Sequence, residues 1–121
     1  MRYLLLIYSD EKAMAQVPEK EMGKLLEEYK AYSIALREAG NFRAGQRLRP
    51  IATATSVRVE KGKKLITDGP FAETKEQLGG FYMIEAKDLD EAVEWAAKLP
   101  GARVGTIEVR PIWEMPEMPL D

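Results

Sequence analysis

The 121-residue chain contains no cysteine and no histidine. Without cysteine there is no disulfide, no thiolate nucleophile and no sulfur-ligated metal. Without histidine there is no Ser–His or Cys–His pair, no imidazole ligand and no side chain that ordinarily titrates near neutrality. No metal site and no cofactor are therefore expected, and acid–base chemistry falls to carboxylates, Tyr, Lys or Arg. Charge excess is also missing: 18 Lys and Arg stand against 20 Asp and Glu, a formal charge of −2. Neither nucleic acid nor an anionic membrane is implied as a partner. Long apolar runs are absent as well. The run from Tyr3 to Tyr8 is far shorter than the roughly 20 residues a membrane span needs, so a cytoplasmic protein is expected.

What is present suits one ordinary globular domain, with 45% hydrophobic and 31% charged residues. We place that domain at residues 1–112, with a tail at 113–121 that contains two prolines and three acids.

The opening segment Arg2–Tyr8 predicts a strand that is apolar on both faces: Tyr3, Leu5 and Ile7 alternate with Leu4, Leu6 and Tyr8. Such a strand needs cover on both sides, from helices on one and a second subunit on the other. After a polar loop (Ser9 to Gln16), Pro18 fits the first position of a helix. Met22, Leu25, Leu26, Tyr29, Tyr32 and Leu36 recur at helical spacing, and Gly40 fits a left-handed cap. Strands are predicted at Phe42–Leu48, Thr53–Glu60 and Lys64–Thr67, with Lys61-Gly62 as a tight turn between the last two. A polar helical turn and Gly79-Gly80 precede a strand at Phe81–Ala86. Asp88 and Glu91 read as a carboxylate capping box for a second helix. Its apolar face is Leu89, Ala92, Val93, Ala96 and Leu99, and Pro100-Gly101 ends it. Val104–Ile112 is the last strand. Removing the Lys61-Gly62 hairpin leaves β-α-β-β-α-β, the ferredoxin-like arrangement, so the expected fold class is α+β with an extra hairpin.

Chemistry concentrates between Thr67 and Tyr82. Asp68, before Gly69-Pro70, fits a rigidly held base or ligand anchor and equally a turn-starting carboxylate that accepts local amides. Gly79-Gly80 fits a bulge or close packing better than a phosphate loop. Tyr8 and Ser9 end the first strand, where they could meet a ligand or simply cap it. Glu73, Lys75 and Gln77 fit a pocket mouth or a solvated turn. Arg43, Arg47 and Arg49 suit an anionic group, or carboxylates across a dimer. Phe81, Tyr82 and Trp95 are packing candidates, with Tyr82 also a candidate ligand contact.

The block Asp68-Gly69-Pro70-Phe71-Ala72-Glu73-Thr74-Lys75-Glu76-Gln77-Leu78-Gly79-Gly80-Phe81-Tyr82 resembles the DGPF-motif branch of the YCII-related superfamily. Collinear similarity runs along almost the whole chain. It includes Arg2–Tyr8, Ala39-Gly40, Thr53–Thr55, Val57–Val59, Asp88–Ala92, Trp95–Ala97 and Ile107–Pro111. The resemblance implies a ferredoxin-like fold, a homodimer whose sheets face each other in a barrel-like assembly, and, for a few members, lyase-like activity. It also implies a site pairing a histidine on the first helix with an aspartate near the dimer interface. This chain offers Tyr29 or Tyr32 at the corresponding stretch, neither an easy base at neutral pH, so the His–Asp mechanism cannot operate as such. Asp68 matches the motif aspartate. Some relatives are encoded beside extracytoplasmic-function sigma factors, which implies a regulatory or stress-linked setting.

Three functions are thus expected to compete. The first is a dimeric domain binding a small molecule through Tyr8, Ser9, Arg43, Arg47, Asp68 and Tyr82. The second is an acid–base enzyme with Asp68 as the catalytic residue, and the third a protein-interaction module, for example for a sigma factor.

Overall fold

A computed structural model describes residues 1–120. Its elements are β1 (Arg2–Ser9), α1 (Glu11–Met14), α2 (Glu19–Glu38), β2 (Phe42–Arg47), β3 (Thr55–Glu60), β4 (Lys63–Asp68), β5 (Gln77–Glu85), α3 (Leu89–Lys98) and β6 (Thr106–Pro111). Four strands form an antiparallel sheet in the order β2-β5-β1-β6, while β3 and β4 pair only with each other. This order, with two long helices, is compatible with a ferredoxin-like α+β fold.

Alternation decides what each strand buries. On β1, Tyr3 and Leu5 join Ile84 of β5 in the core, with Tyr32 and Leu36 of α2 and Ala92 and Ala96 of α3 packed onto them. Both long helices therefore cover one face of the sheet. On the other face, Leu4 stands opposite Met83 and Leu6 opposite Phe81. All four are only half-buried, on the face away from α2 and α3. The doubly apolar strand is thus covered on one side alone within the described chain.

Several local signals act as their chemistry requires. Asp88 accepts the Glu91 N–H at 2.9 Å at the start of α3. Glu91 reciprocates by accepting from Lys87 N–H at 2.7 Å, one residue earlier than an ordinary capping box. Gly40 ends α2 at φ +81°, and Lys61 and Gly62 turn the hairpin at φ +49° and +77°.

The structure also departs from the sequence expectations. Pro18 sits just before α2 rather than inside it, and the polar loop after β1 contains the short α1, capped by Asp10. The segment before Phe81 is not a helical turn: β5 begins at Gln77 and runs through both glycines. Ile7 pairs with Gly80 and Tyr8 with Leu78, so the strand bulges there. A Cβ on Gly80 would lie 2.8 Å from the Gln46 carbonyl oxygen, so close backbone approach is what this glycine supplies. On α3, Leu89 and Val93 remain half in water because the sheet reaches only the Ala92–Ala96–Leu99 side. Thr53 belongs to a short helical turn, Ile51–Thr53, ahead of β3, and β6 starts at Thr106 because residues 100–103 form another such turn.

Candidate functional site

Where β1 ends, three separate stretches of chain are tied together by polar groups. Asp10 accepts from the backbone N–H of Lys12 (3.0 Å) and of Ala13 (3.4 Å), which starts α1. The Glu11 N–H donates to Gln77 Oε1 at 2.9 Å, and the Glu11 carboxylate accepts the Ile51 N–H at 3.1 Å. Gln77 Nε2 donates to the Thr74 carbonyl at 2.6 Å. These bonds frame a concavity of about 420 Å³, lined by Asp10, Glu11, Lys12, Ile51, Ala52, Thr74, Lys75 and Gln77. Its carboxylates and amide are engaged by backbone. Lys12 and Lys75 form no ion pair among the described residues, so the frame leaves two cations exposed to solvent beside Ile51 and Ala52. Such a pair suits an anionic group on a small ligand.

The sequence-derived candidates are spread more widely. Ser9 pairs with Gln77 and precedes Asp10, both of which line this concavity. Tyr8 lies on the uncovered sheet face, where its hydroxyl donates to Glu108 at 3.4 Å; burial and the Glu108 carboxylate push the phenol's pKa up. Arg47 ends β2 at the same end of the sheet, level with Gly80. Tyr82 sits on the helix face, its hydroxyl sharing a 2.6 Å hydrogen bond with Ser33 and its ring edge-on to Tyr32 at 5.3 Å. Arg43 stands at the other end of β2, donating to the carbonyls of Gly40 and Phe42. There it lines a second, larger and more open concavity of about 630 Å³ with Arg2, Met83, Glu85 and Glu114.

Asp68 ends β4 on the detached hairpin, exposed and opposite Thr55. The turn that follows is held without its side chain: Gly69 N–H donates to the Ala54 carbonyl at 2.7 Å, and Ser56 Oγ donates to the Gly69 carbonyl at 2.8 Å. The Asp68 carboxylate engages no group among the described residues.

Burial raises the pKa of Tyr29, opposed by the Gly101 backbone amide, and burial raises that of Tyr32 strongly. Tyr32 donates to the Trp95 carbonyl at 2.9 Å, tying α2 to α3. Sequence reasoning missed Glu11 and Lys12; the signal was Asp10 followed by Glu-Lys-Ala, a helix start inside what reads as a loop. Among the described residues, no group of three or more carboxylates is placed to hold a metal ion, and no helix is long and apolar enough to cross a membrane.

This geometry defines an α+β domain with one helix-covered antiparallel sheet, one uncovered sheet face and a polar concavity at a strand end. The YCII-related domain matches residues 1–116, and the chain belongs to that family. An uncharacterised protein of Rhizobium meliloti (strain 1021) is 39% identical over 114 residues, covering 93% of this chain and 92% of that one. Among solved structures, the chain is similar to 5-chloro-2-hydroxyhydroquinone dehydrochlorinase from Burkholderia phenoliruptrix AC1100, in complex with 2,5-dihydroxybenzoquinone. That likeness has a TM-score of 0.51 at 13% identity, over 97% of this chain and 98% of that one. At that identity it shows the fold.

Proposed function

We propose that the chain is a small-molecule-binding YCII-related protein of the DGPF branch, acting as a cytoplasmic homodimer in a regulatory or stress-linked role. The observation that carries the binding reading is the concavity at the end of β1, where Lys12 and Lys75 are free to meet an anionic ligand while Glu11 and Gln77 hold the frame. The homodimer reading rests on Leu4, Leu6, Phe81 and Met83, a half-buried apolar strip on the sheet face away from α2 and α3. A structural neighbour that holds a small dihydroxyquinone supports a ligand of that size and acidity.

Calorimetric titration tests the site, with benzoate and 2,5-dihydroxybenzoquinone as probes. Saturable binding that falls at least about tenfold in the Lys12→Ala/Lys75→Ala variant is expected, a loss in keeping with two charge-assisted contacts. Binding that the variant leaves unchanged moves the site elsewhere; no binding of either probe withdraws the anionic-ligand reading. Light scattering tests the dimer, and a monomer at micromolar concentration refutes it.

A second reading makes Asp68 a proton-transfer group. Its support is that the carboxylate is exposed and engaged by nothing in its own turn. Asp68→Asn would then abolish turnover of a substrate while leaving thermal unfolding unchanged.

A further inference from the structure

The β3–β4 hairpin has two unlike faces. Pairing of Thr55 with Asp68, Val57 with Ile66 and Val59 with Lys64 puts these side chains on one face, in three rows along the ribbon. Val57, Val59 and Ile66 are each more than half exposed there. The other face carries Arg58, Glu60 and Lys63 around Leu65 and is mostly charged. A two-stranded sheet alone is marginal in water, so the exposed apolar face calls for cover.

The charges at the two ends of that face decide what fits it. On β4, Lys64 and Asp68 stand two residues either side of Ile66, on the same face. They lie about 13 Å apart along the strand, too far to pair with each other. Neither side chain forms an ion pair or hydrogen bond elsewhere among the described residues. The face thus presents a cation, an apolar centre and an anion at equal steps. Such a pattern is complementary to itself when turned end for end.

We propose that this face is a self-association surface on which two copies stack hairpin on hairpin, antiparallel. The two-fold axis crosses the strands at the Val57–Ile66 row. Ile66 then meets Ile66 and Val57 meets Val57 at the centre, while Lys64 of each copy meets Asp68 of the other, twice per contact. An axis running along the strands would instead gather both lysines at one end and both aspartates at the other. Ribbons crossed at right angles would cover the central row alone and leave Val59 in water. Stacking along their length, the aligned mode of sheet packing, covers all three rows. The patch is small, below the roughly 800 Å² per partner of a standard interface, so the contact belongs to the weak, concentration-dependent class. It uses a different face from Leu4, Leu6, Phe81 and Met83 and does not depend on the sheet-face dimer.

Reversing the charges tests the register. Lys64→Glu sets carboxylate against carboxylate twice, and is expected to weaken self-association at least roughly fivefold in sedimentation velocity at high protein concentration. Asp68→Lys is expected to do the same, and the chain carrying both substitutions, complementary again, to regain the original association. A double variant as weak as the single ones overturns the register; single variants that associate like the original chain overturn the contact. Because the chain has no cysteine, engineered thiols report the geometry without background. Packed sheets stand about 10 Å apart, so a short bis-maleimide is the reporter rather than a disulfide. Ile66→Cys is expected to link to itself, and Lys64→Cys to link to Asp68→Cys in preference to itself. Self-linked Lys64→Cys in excess of the mixed product overturns the antiparallel stacking. Adding Leu6→Lys, which disrupts the sheet-face dimer, is expected to leave the Ile66→Cys product in place, and loss of that product overturns the independence of the hairpin contact.

Discussion

The four-stranded sheet and the two-stranded hairpin both send alternate side chains to opposite faces, yet their apolar side chains end in opposite states. In the sheet, Leu5 and Ile84 have no exposed surface, because α2 and α3 lie across them. In the hairpin, Val57 and Val59 alternate with Arg58 and Glu60 just as regularly and stay in water. Alternation specifies which side chains share a face; only a second layer decides whether that face becomes a core. A single chain here supplies one layer of cover for two sheets that present three apolar faces.

The largest test of this contrast is truncation in each region. Leu36→Ala is expected to cost about 2–5 kcal/mol, since a fully buried side chain leaves a cavity, while Val59→Ala in the isolated chain should cost under about 0.5 kcal/mol. Chemical denaturation of both variants under monomeric conditions measures the gap, and equal losses would break the comparison. Next comes Gly80→Ala. Its Cβ would press on the Gln46 carbonyl of the neighbouring strand, and a loss of about 1–3 kcal/mol is expected in the same assay. Gly62→Ala, with open space around it but φ at +77°, tests backbone strain in the hairpin instead. Ser33→Ala should cost about 1 kcal/mol by removing the partner of the Tyr82 hydroxyl. The smallest effect is a pH dependence at the edge of the sheet. The hydrogen bond from Arg2 holds the Glu114 carboxyl below the usual carboxylate range. That contact is therefore complete above the ordinary carboxylate pKa and is lost as pH falls through the lowered one. NMR titration of the Glu114 side chain should show the low midpoint, and Arg2→Ala should return it to the ordinary value.

What the sequence disclosed follows the range over which each signal acts. Asp88 with Glu91, Gly40, and Lys61-Gly62 each work through neighbours within a few residues, and the structure uses all of them. The alternation in Arg2–Tyr8 showed a strand with two apolar faces, and helices cover one. The extent of β5 was hidden because Gly79-Gly80 reads locally as a break; the strand exists through pairing with Ile7 and Arg47, distant in sequence. The same limit applies to the concavity. Glu11, Ile51 and Gln77 come from three stretches that share no motif, and only the folded sheet brings them within hydrogen-bonding distance. Asp68 stood out for its neighbours in sequence, whereas its place on a detached hairpin depends on a pairing with Thr55.

The position of β1 also sets an order of events during synthesis. β1 is the interior strand between β5 and β6, so both its neighbours are translated at least about 70 residues after it. The hairpin β3–β4, with its contacts close in sequence, can close within microseconds of emerging, whereas the sheet waits for distant partners. Until β5 leaves the ribosome, the most apolar stretch of the chain has no strand to pair with. That interval is when a nascent polypeptide of this design exposes most apolar surface, and slowing translation before residue 77 would lengthen it.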